Sequence, residues 1–212
     1  MATITERLLP LCVDLDGTLI ATDLLWESIF GLIRTRPMEA ALMPIWLLKG
    51  RSNLKARIAE RVVVDPRLLP YRAEVVKHLR IQKEEGRRIV LATAADRRLA
   101  EAVAEHLDLF DEVLASDDRR NLKGDEKRVA LEERFGPGGF DYLGDSRADL
   151  PIWKAANEAL LVRADRGIER RAAAVCSPSR VFDGAGGAWP LIKALRPHQW
   201  AKNALVFVAL IA

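Results

Sequence analysis

The sequence predicts an α/β fold in which a parallel sheet carries a helical insertion after its first strand. Residues 8–13 form an apolar run that ends at two aspartates and Gly17, which is typical of a buried parallel strand. Residues 20–85 show no clear strand pattern and contain four helical segments. From residue 86 onward, strand-like and helix-like segments alternate, as they do in a doubly wound sheet.

Proline and glycine residues divide the insertion and the alternating region into separate elements. Within the insertion, helices are predicted at residues 23–34, 38–48, 54–63 and 71–85. After it, strands are predicted at residues 88–93, 112–115, 140–143 and 159–162, and helices at residues 97–107, 125–135, 149–156 and 167–174. We therefore expect a core domain of residues 1–19 and 86–183, with residues 20–85 as a helical cap over the carboxyl edge of the sheet. Ligands bind at that edge in open α/β folds.

Composition and charge narrow the classes of function. The chain has 212 residues, of which 30% are charged, and a formal net charge of +3, which suits one α/β domain with a small accessory domain. Basic residues alternate with acidic ones, so they are expected to form solvated helix faces, and no nucleic-acid partner is expected. Cys12 and Cys176 are too few for a disulfide framework, and a buried thiol at Cys12 fits a reducing cytosol. The first ten residues lack the apolar core of a secretory signal peptide.

Two aspartates directly follow the first predicted strand. Asp14 and Asp16 are two residues apart, a spacing that puts both side chains on one side of an extended segment. Gly17 then permits a tight turn out of the strand. Transfer of a phosphoryl group needs a nucleophile and a proton donor for the leaving oxygen. One carboxylate can attack phosphorus while the other donates and then removes a proton, so this pair predicts phosphoryl chemistry.

Three further pieces lie near the ends of later strands. Thr93 ends the second predicted strand and offers a hydroxyl to a phosphate oxygen, and Lys123 offers a point charge suited to phosphate. Asp145 and Asp149 flank a loop-to-helix transition after the fourth strand. Carboxylates of this kind suit Mg²⁺, which binds through a few carboxylates, water and the substrate phosphate. Each piece alone has a structural explanation, as a turn, a strand end, a surface lysine or a helix cap. Their joint order along the chain favours an active site.

These pieces together resemble the motifs of the haloacid dehalogenase (HAD) superfamily, over roughly residues 8–182. The resemblance implies a Rossmann-like parallel sheet with Asp14 as the nucleophile, which forms a phosphoaspartyl intermediate, and Asp16 as the acid and base. It implies roles for Thr93 and for a lysine in holding the phosphate. It also implies Mg²⁺ bound by Asp14, the backbone carbonyl of Asp16 and the acidic pair Asp145 and Asp149.

The lysine of the third motif has two candidates. Lys127 lies one helical turn beyond Lys123. We favour Lys123, because Leu122-Lys123-Gly124 before a helix resembles phosphoserine phosphatase-like members of the superfamily.

Asp16 narrows the reaction further. Dehalogenases, phosphonatases and P-type ATPases resemble this pattern but lack an aspartate at that place, so its presence favours hydrolysis of a phosphate ester. Three alternatives stay open: a soluble sugar-phosphate phosphatase, a phosphomutase, and a degenerate docking or regulatory domain of a membrane prenyltransferase. The insertion resembles the C1 caps of related phosphatases, in which cap residues select the substrate.

Two apolar segments raise the question of a membrane. Residues 38–48 are apolar except for Glu39, so this helix is expected either to be buried in the cap or a dimer interface, or to face a membrane or a lipid-linked substrate. Residues 184–194 are predicted to be a linker. Residues 195–212 resemble the start of UbiA-type prenyltransferases, in particular those similar to decaprenyl-phosphate phosphoribosyltransferase. There, basic and aromatic residues precede an apolar run, as in an interfacial anchor.

These expectations combine into one functional hypothesis. We expect a cytoplasmic Mg²⁺-dependent phosphatase, attached through its C-terminal segment to the cytoplasmic face of the membrane. Its expected substrate is a phosphorylated small molecule or a lipid-linked sugar, such as a polyprenyl-phosphoryl ribose 5-phosphate.

Overall fold

The computed structural model describes residues 8–62, 64–117, 120–163, 166–176 and 178–183. Six strands form one sheet: β1 (Leu11–Val13), β2 (Ile89–Asp96), β3 (Glu112–Ser116), β4 (Asp141–Gly144), β5 (Ala159–Arg163) and β6 (Arg180–Asp183). Their order across the sheet is β3-β2-β1-β4-β5-β6, and every neighbouring pair is parallel. The predicted parallel α/β sheet is therefore confirmed.

Helices cover both faces of the sheet and build the insertion. In the described ranges they are α1 (Leu24–Thr35), α2 (Pro37–Ala40), α3 (Met43–Leu48), α4 (Arg51–Ala59), α5 (Ala73–Glu84), α6 (Arg97–Leu107), α7 (Asp125–Phe135), α8 (Leu150–Ala155) and α9 (Arg166–Ala173). Short 3-10 turns occur at Pro66–Leu68 and Arg147–Asp149. Each described helix is too short or too polar to cross a lipid bilayer.

Strand β1 lies in the middle of the sheet, and its side chains divide the core into two layers. Leu11 and Val13 are fully buried in one cluster, together with side chains of α5 and α6. Cys12 points to the other face and belongs to a second cluster, with side chains of α7, α8 and α9. This alternation follows from the two-residue period of a strand, and it explains why β1 is apolar throughout.

The cap has a small core of its own. Leu32, Ala40, Trp46, Ile58 and Val62 form its buried cluster. Four helices meet there, α1 to α4, and many of their other apolar side chains face outward.

The segment predicted as one helix at residues 38–48 is instead two helices, α2 and α3. Pro44 stands in the first turn of α3, and a proline supplies no N–H to continue the hydrogen bonding of a preceding helix. Trp46 is buried, as the first of the two explanations for this segment requires. Met38 and Leu48 are 84% and 88% exposed, so the segment also has an exposed apolar side.

Packing and strand pairing add three details to the prediction. Helix α5, which lies in the predicted cap, packs in the sheet cluster through Val75 and Leu79. Strand β2 continues to Asp96, with a break in regular pairing between Thr93 and Asp96. Strand β6 was not predicted, because three of its four side chains are exposed and it therefore lacks an apolar run. The predicted linker and the UbiA-like segment, residues 184–212, lie outside the described residues.

Candidate active site

Asp14 lies one residue beyond β1, at the carboxyl edge of the sheet. Its backbone N–H donates to the carbonyl of Leu143 at 2.9 Å, which fixes the residue against the neighbouring strand β4. The side chain is 7% exposed. Burial raises the pKa of Asp14 to about 6, although the nearby cation of Lys127 acts in the opposite direction. The Asp14 carboxylate is therefore shielded from water, and the positive charge of Lys127 stabilises its ionised form.

Lys127 supplies that charge from the first turn of α7. Its Nζ donates to Asp14 Oδ1 at 2.7 Å and to the hydroxyl of Tyr142 at 3.0 Å, and it lies 3.9 Å from Asp149 Oδ1. The residue is 4% exposed. Burial acts to lower the pKa of Lys127, but Asp14 and Asp149 outweigh it, and the net direction is upward. Lys127 is therefore held as a cation between two carboxylates.

The favoured lysine of the sequence prediction is placed differently. Lys123 is exposed and lines the same cavity as Asp14, whereas Lys127 makes the direct contact with Asp14. Lys123 precedes α7, whose first residue is Asp125, whereas Lys127 lies in the first turn of that helix and points inward. For the direct contact with Asp14, the geometry therefore favours the competing candidate, Lys127, over Lys123.

Asp16 lies on the cap side of the site. Its Oδ1 accepts a hydrogen bond at 2.8 Å from the backbone N–H of Leu24. Leu24 is the first residue of α1. Burial and the neighbouring carboxylate of Asp23 raise the pKa of Asp16 to about 7, against the effect of that hydrogen bond. A carboxyl group with a pKa near neutrality can both donate and accept a proton at physiological pH.

The turn at Gly17 brings the segment after β1 into contact with Asp145. Gly17 has a φ of +81°, and a Cβ at this position would lie 2.2 Å from Asp145 Oδ2. Asp145 Oδ1 accepts a hydrogen bond from the hydroxyl of Thr18 at 3.3 Å. Burial, followed by Asp14 and Asp149, raises the pKa of Asp145 well above its usual range. Glycine is required here both for the backbone conformation and for the approach of this carboxylate.

Asp149 is the most enclosed of the four aspartates. It is 2% exposed. Its Oδ2 accepts hydrogen bonds from the backbone N–H of Ser146 at 3.0 Å and the Ser146 hydroxyl at 2.8 Å, and its Oδ1 accepts one from the Tyr142 hydroxyl at 2.8 Å. These contacts orient the loop that carries Asp145.

The three carboxylates of Asp14, Asp145 and Asp149 form a candidate metal centre. Each offers an oxygen within 4.8 Å of the others. Burial first, and then the neighbouring carboxylates, raise the pKa of Asp14 and of Asp145, and a divalent cation bound here would stabilise their ionised forms. The donors are hard oxygens, as Mg²⁺ prefers. Among the described residues, the cluster consists of these three carboxylates, and the Asp16 carboxylate is not one of them.

Thr93 is not brought to the cavity. It is fully buried, and its Oγ1 accepts a hydrogen bond from the backbone N–H of Ala95 at 3.0 Å. The chain bulges after Thr93, because the pairing of β2 with β3 is irregular between Thr93 and Asp96. As a result, Ala94, Ala95 and Asp96 line the cavity in its place.

A cavity of about 820 Å³ lies between the four aspartates and the cap. Two basic residues that were not predicted as site residues also line it. Lys55 of α4 donates from Nζ to the carbonyl of Ala94 at 2.8 Å, and Arg72 donates from Nε to the carbonyl of Gly17 at 3.0 Å. Both belong to helical segments whose basic residues look like ordinary surface charges, so no local pattern distinguishes them.

Known proteins resemble the whole of this arrangement. The uncharacterized protein y4nM of Sinorhizobium fredii is 40% identical over 215 residues, a match that covers 97% of this chain and 40% of y4nM. The chain thus spans less than half the length of that curated relative.

Solved structures share the fold. A protein of unknown function from Bordetella pertussis Tohama I has a TM-score of 0.61 at 20% identity, covering 85% of this chain and 100% of the other. A substrate-bound phosphoserine phosphatase complex has a TM-score of 0.58 at 12% identity, covering 89% and 99%.

The family profile for haloacid dehalogenase-like hydrolases matches residues 11–154. That range includes β1 with Asp14 and Asp16, the lysine-bearing helix α7, and the loop of Asp145 and Asp149. The chain therefore belongs to the haloacid dehalogenase-like hydrolase family.

Proposed function

We propose that this hydrolase is a Mg²⁺-dependent phosphatase that cleaves phosphate monoesters through an aspartyl-phosphate on Asp14. The single observation that carries the proposal is the contact between Lys127 Nζ and Asp14 Oδ1, 2.7 Å apart in a buried site. A buried carboxylate held ionised by one lysine is suited to nucleophilic attack. In this proposal the attacking oxygen is Oδ2, which Lys127 does not contact.

Asp16 is proposed as the proton donor and acceptor. In the first step, Asp14 attacks phosphorus, the ester P–O bond breaks, and protonated Asp16 gives its proton to the leaving alcohol. In the second step, Asp16 takes a proton from the attacking water, inorganic phosphate leaves, and the carboxylate of Asp14 is restored. The pKa of Asp16, raised to about 7 by burial and Asp23, supports both roles because each protonation state is accessible near neutral pH.

Asp14, Asp145 and the backbone carbonyl of Asp16 are proposed to hold Mg²⁺, with Asp149 orienting the loop behind them. When bound, the ion would neutralise negative charge on the phosphate oxygens. Lys127 and the backbone at Ala94 and Ala95 complete the polar surroundings of the phosphate in this proposal. Thr93 was expected to contact the phosphate. In this proposal it instead stabilises the bulge that places Ala94 and Ala95 at the cavity.

The substrate predicted from residues 195–212, a lipid-linked sugar phosphate, remains a hypothesis that depends on a segment outside the described residues. The same holds for attachment to a membrane and for a fused prenyltransferase.

Turnover of p-nitrophenyl phosphate tests the proposed reaction. Phosphate release is expected in Mg²⁺, and loss of release is expected in EDTA and in Asp14→Asn. Asp108→Asn is a matched control, since Asp108 is exposed at the end of α6 and does not line the cavity, and it should retain turnover. A wild-type protein without Mg²⁺-dependent turnover would instead favour the docking or regulatory domain.

A further inference from the structure

The cap contributes mostly apolar side chains to the active-site cavity. Leu25 and Ile29 of α1, Leu47 of α3, and Leu54 and Ile58 of α4 all line it. Cavities of roughly 300–1,000 Å³ hold drug-sized ligands, so a volume of about 820 Å³ leaves room for a substantial organic group besides the phosphate. The surface available to that group is largely hydrocarbon.

The hydrophilic side chains that α1, α3 and α4 add to the lining already bond to the protein. Ser28 is 1% exposed, and its hydroxyl donates to the carbonyl of Leu24 at 2.7 Å. Lys55 Nζ donates to the carbonyl of Ala94 at 2.8 Å. Between α1, α3 and α4, a substrate carrying an ammonium and a carboxylate would place these charges against leucine and isoleucine, and burial of a charge without a partner is costly. The other charged lining residues lie outside these three helices, among them Asp23, Arg72, Lys123 and Arg147.

The apolar lining continues to the surface of the cap. Trp26 and Leu47 line the cavity and are also 42% and 50% exposed. The ring of Trp26 packs against that of Phe30, with centroids 6.1 Å apart, and Phe30 is itself 47% exposed. An apolar group longer than the cavity can therefore extend along these apolar side chains to the surface of the cap.

We infer that the substrate is a phosphate monoester whose organic group is mainly hydrocarbon, lying between α1, α3 and α4 with its far end against Trp26 and Leu47. This inference rests on the proposed phosphatase function and adds the substrate class. Burial of each further methylene is favourable, whereas small charged phosphates gain nothing from this lining.

A series of n-alkyl phosphates from butyl to octyl tests the inference, because their leaving alcohols have nearly equal acidity. Each added methylene should raise kcat/KM by about fourfold, the factor that corresponds to about 0.8 kcal/mol of burial. Octyl phosphate should therefore exceed butyl phosphate by roughly two orders of magnitude. It should also exceed O-phosphoserine and ribose 5-phosphate. Equal rates along the series, or a preference for either charged or sugar phosphate, would overturn the inference.

Two neighbouring leucines provide a matched pair of variants. Leu47→Ser removes a lining side chain, whereas Leu48→Ser changes the next residue of the same helix, which is 88% exposed and does not line the cavity. The ratio of octyl to butyl kcat/KM should fall severalfold in Leu47→Ser and stay unchanged in Leu48→Ser. Equal ratios in the two variants would contradict the proposed path.

Binding of n-alkylphosphonates, measured by calorimetry, separates this inference from the proposed reaction. These compounds are not hydrolysed, so their affinity reports the cavity alone. If affinity rises with chain length but the protein has no phosphatase activity, the proposed reaction is wrong and the preference for a hydrocarbon group is supported. Affinity independent of chain length would reject that preference, whatever the activity.

Discussion

Replacement of Lys127 by methionine tests the arrangement on which the proposed reaction depends. Methionine keeps the length and the apolar stem of the side chain but removes the cation. The variant loses the 2.7 Å contact with Asp14 and the 3.0 Å contact with Tyr142. Asp14 and Asp149 are then left as neighbouring buried carboxylates without their lysine.

The size of the effect follows from the burial of Lys127, whose side chain is 5% exposed. Removing one partner of a buried ion pair costs about 3–5 kcal/mol of unfolding free energy. We expect the lower end, about 3 kcal/mol, because Asp14 already has a pKa raised to about 6 and can take up a proton instead. Turnover should fall by roughly 10²–10³-fold, the usual loss on removal of one preorganised charge-stabilising donor.

Lys123→Met is the matched control. It removes the same charge from the same cavity, but from an exposed side chain, so its unfolding free energy should change by no more than about 0.5 kcal/mol. Urea unfolding and p-nitrophenyl phosphate turnover measure both effects. Near-normal turnover in Lys127→Met together with a large loss in Lys123→Met would refute the assignment of Lys127.

Two further predictions concern the turn and the charged cluster. Gly17→Ala should raise the Mg²⁺ concentration needed for half-maximal activity by about tenfold or more. The new Cβ would lie 2.2 Å from Asp145 Oδ2, and such a contact must displace the carboxylate. A Mg²⁺ titration of activity measures the change. Gly86→Ala, with a φ of +80° and open space around its Cβ, carries the same backbone strain and should leave activation by Mg²⁺ unchanged. In metal-free protein, Asp16 keeps its proton up to about pH 7, whereas in the unfolded chain it releases it near 3.8. The folded state then binds more protons between about pH 4 and 7, so the Asp16 contribution to stability falls as pH rises through that window. The wild-type unfolding free energy should fall, relative to that of Asp16→Asn, between pH 4.5 and 7.5, and a relative rise would contradict the raised pKa.

The sequence carries most of the information about the sheet and about the aspartates. Strands β1 and β5 contain apolar runs, and β4 has a shorter one after Asp141, so these strands are visible without a structure. The four aspartates come after β1 and β4: Asp14, Asp16, Asp145 and Asp149. Parallel strands bring their carboxyl ends to one edge, which is why positions more than a hundred residues apart meet as predicted.

What the sequence does not specify depends on how the chain turns after each strand. Lys127 lies in the first turn of α7, whereas Lys123 lies before that helix and is exposed. Where the helix begins relative to the edge of the sheet depends on tertiary contacts, so the local pattern cannot choose between the two lysines. The bulge after Thr93 depends on pairing with β3, a contact between distant residues. Lys55 and Arg72 reach the site only because the cap folds back over the sheet.

The edge strand and the cap helices show the same limit. Among the described strands, β6 pairs only with β5. It exposes three of its four side chains, so it lacks the apolar signal of an inner strand. Pro44 divides the predicted helix at residues 38–48, and the apolar run around it conceals the break.

The aspartyl-phosphate on Asp14 is the central claim, and chemical trapping tests it most directly. Protein that is turning over a phosphate ester in Mg²⁺ is quenched in acid and treated with borohydride, which reduces an acyl phosphate and converts that aspartate to homoserine. Peptide mass spectrometry should then find homoserine at position 14 and unchanged aspartate at positions 16 and 145. Trapping at another aspartate, or phosphate release at full rate without any trapped residue, would contradict the proposed mechanism.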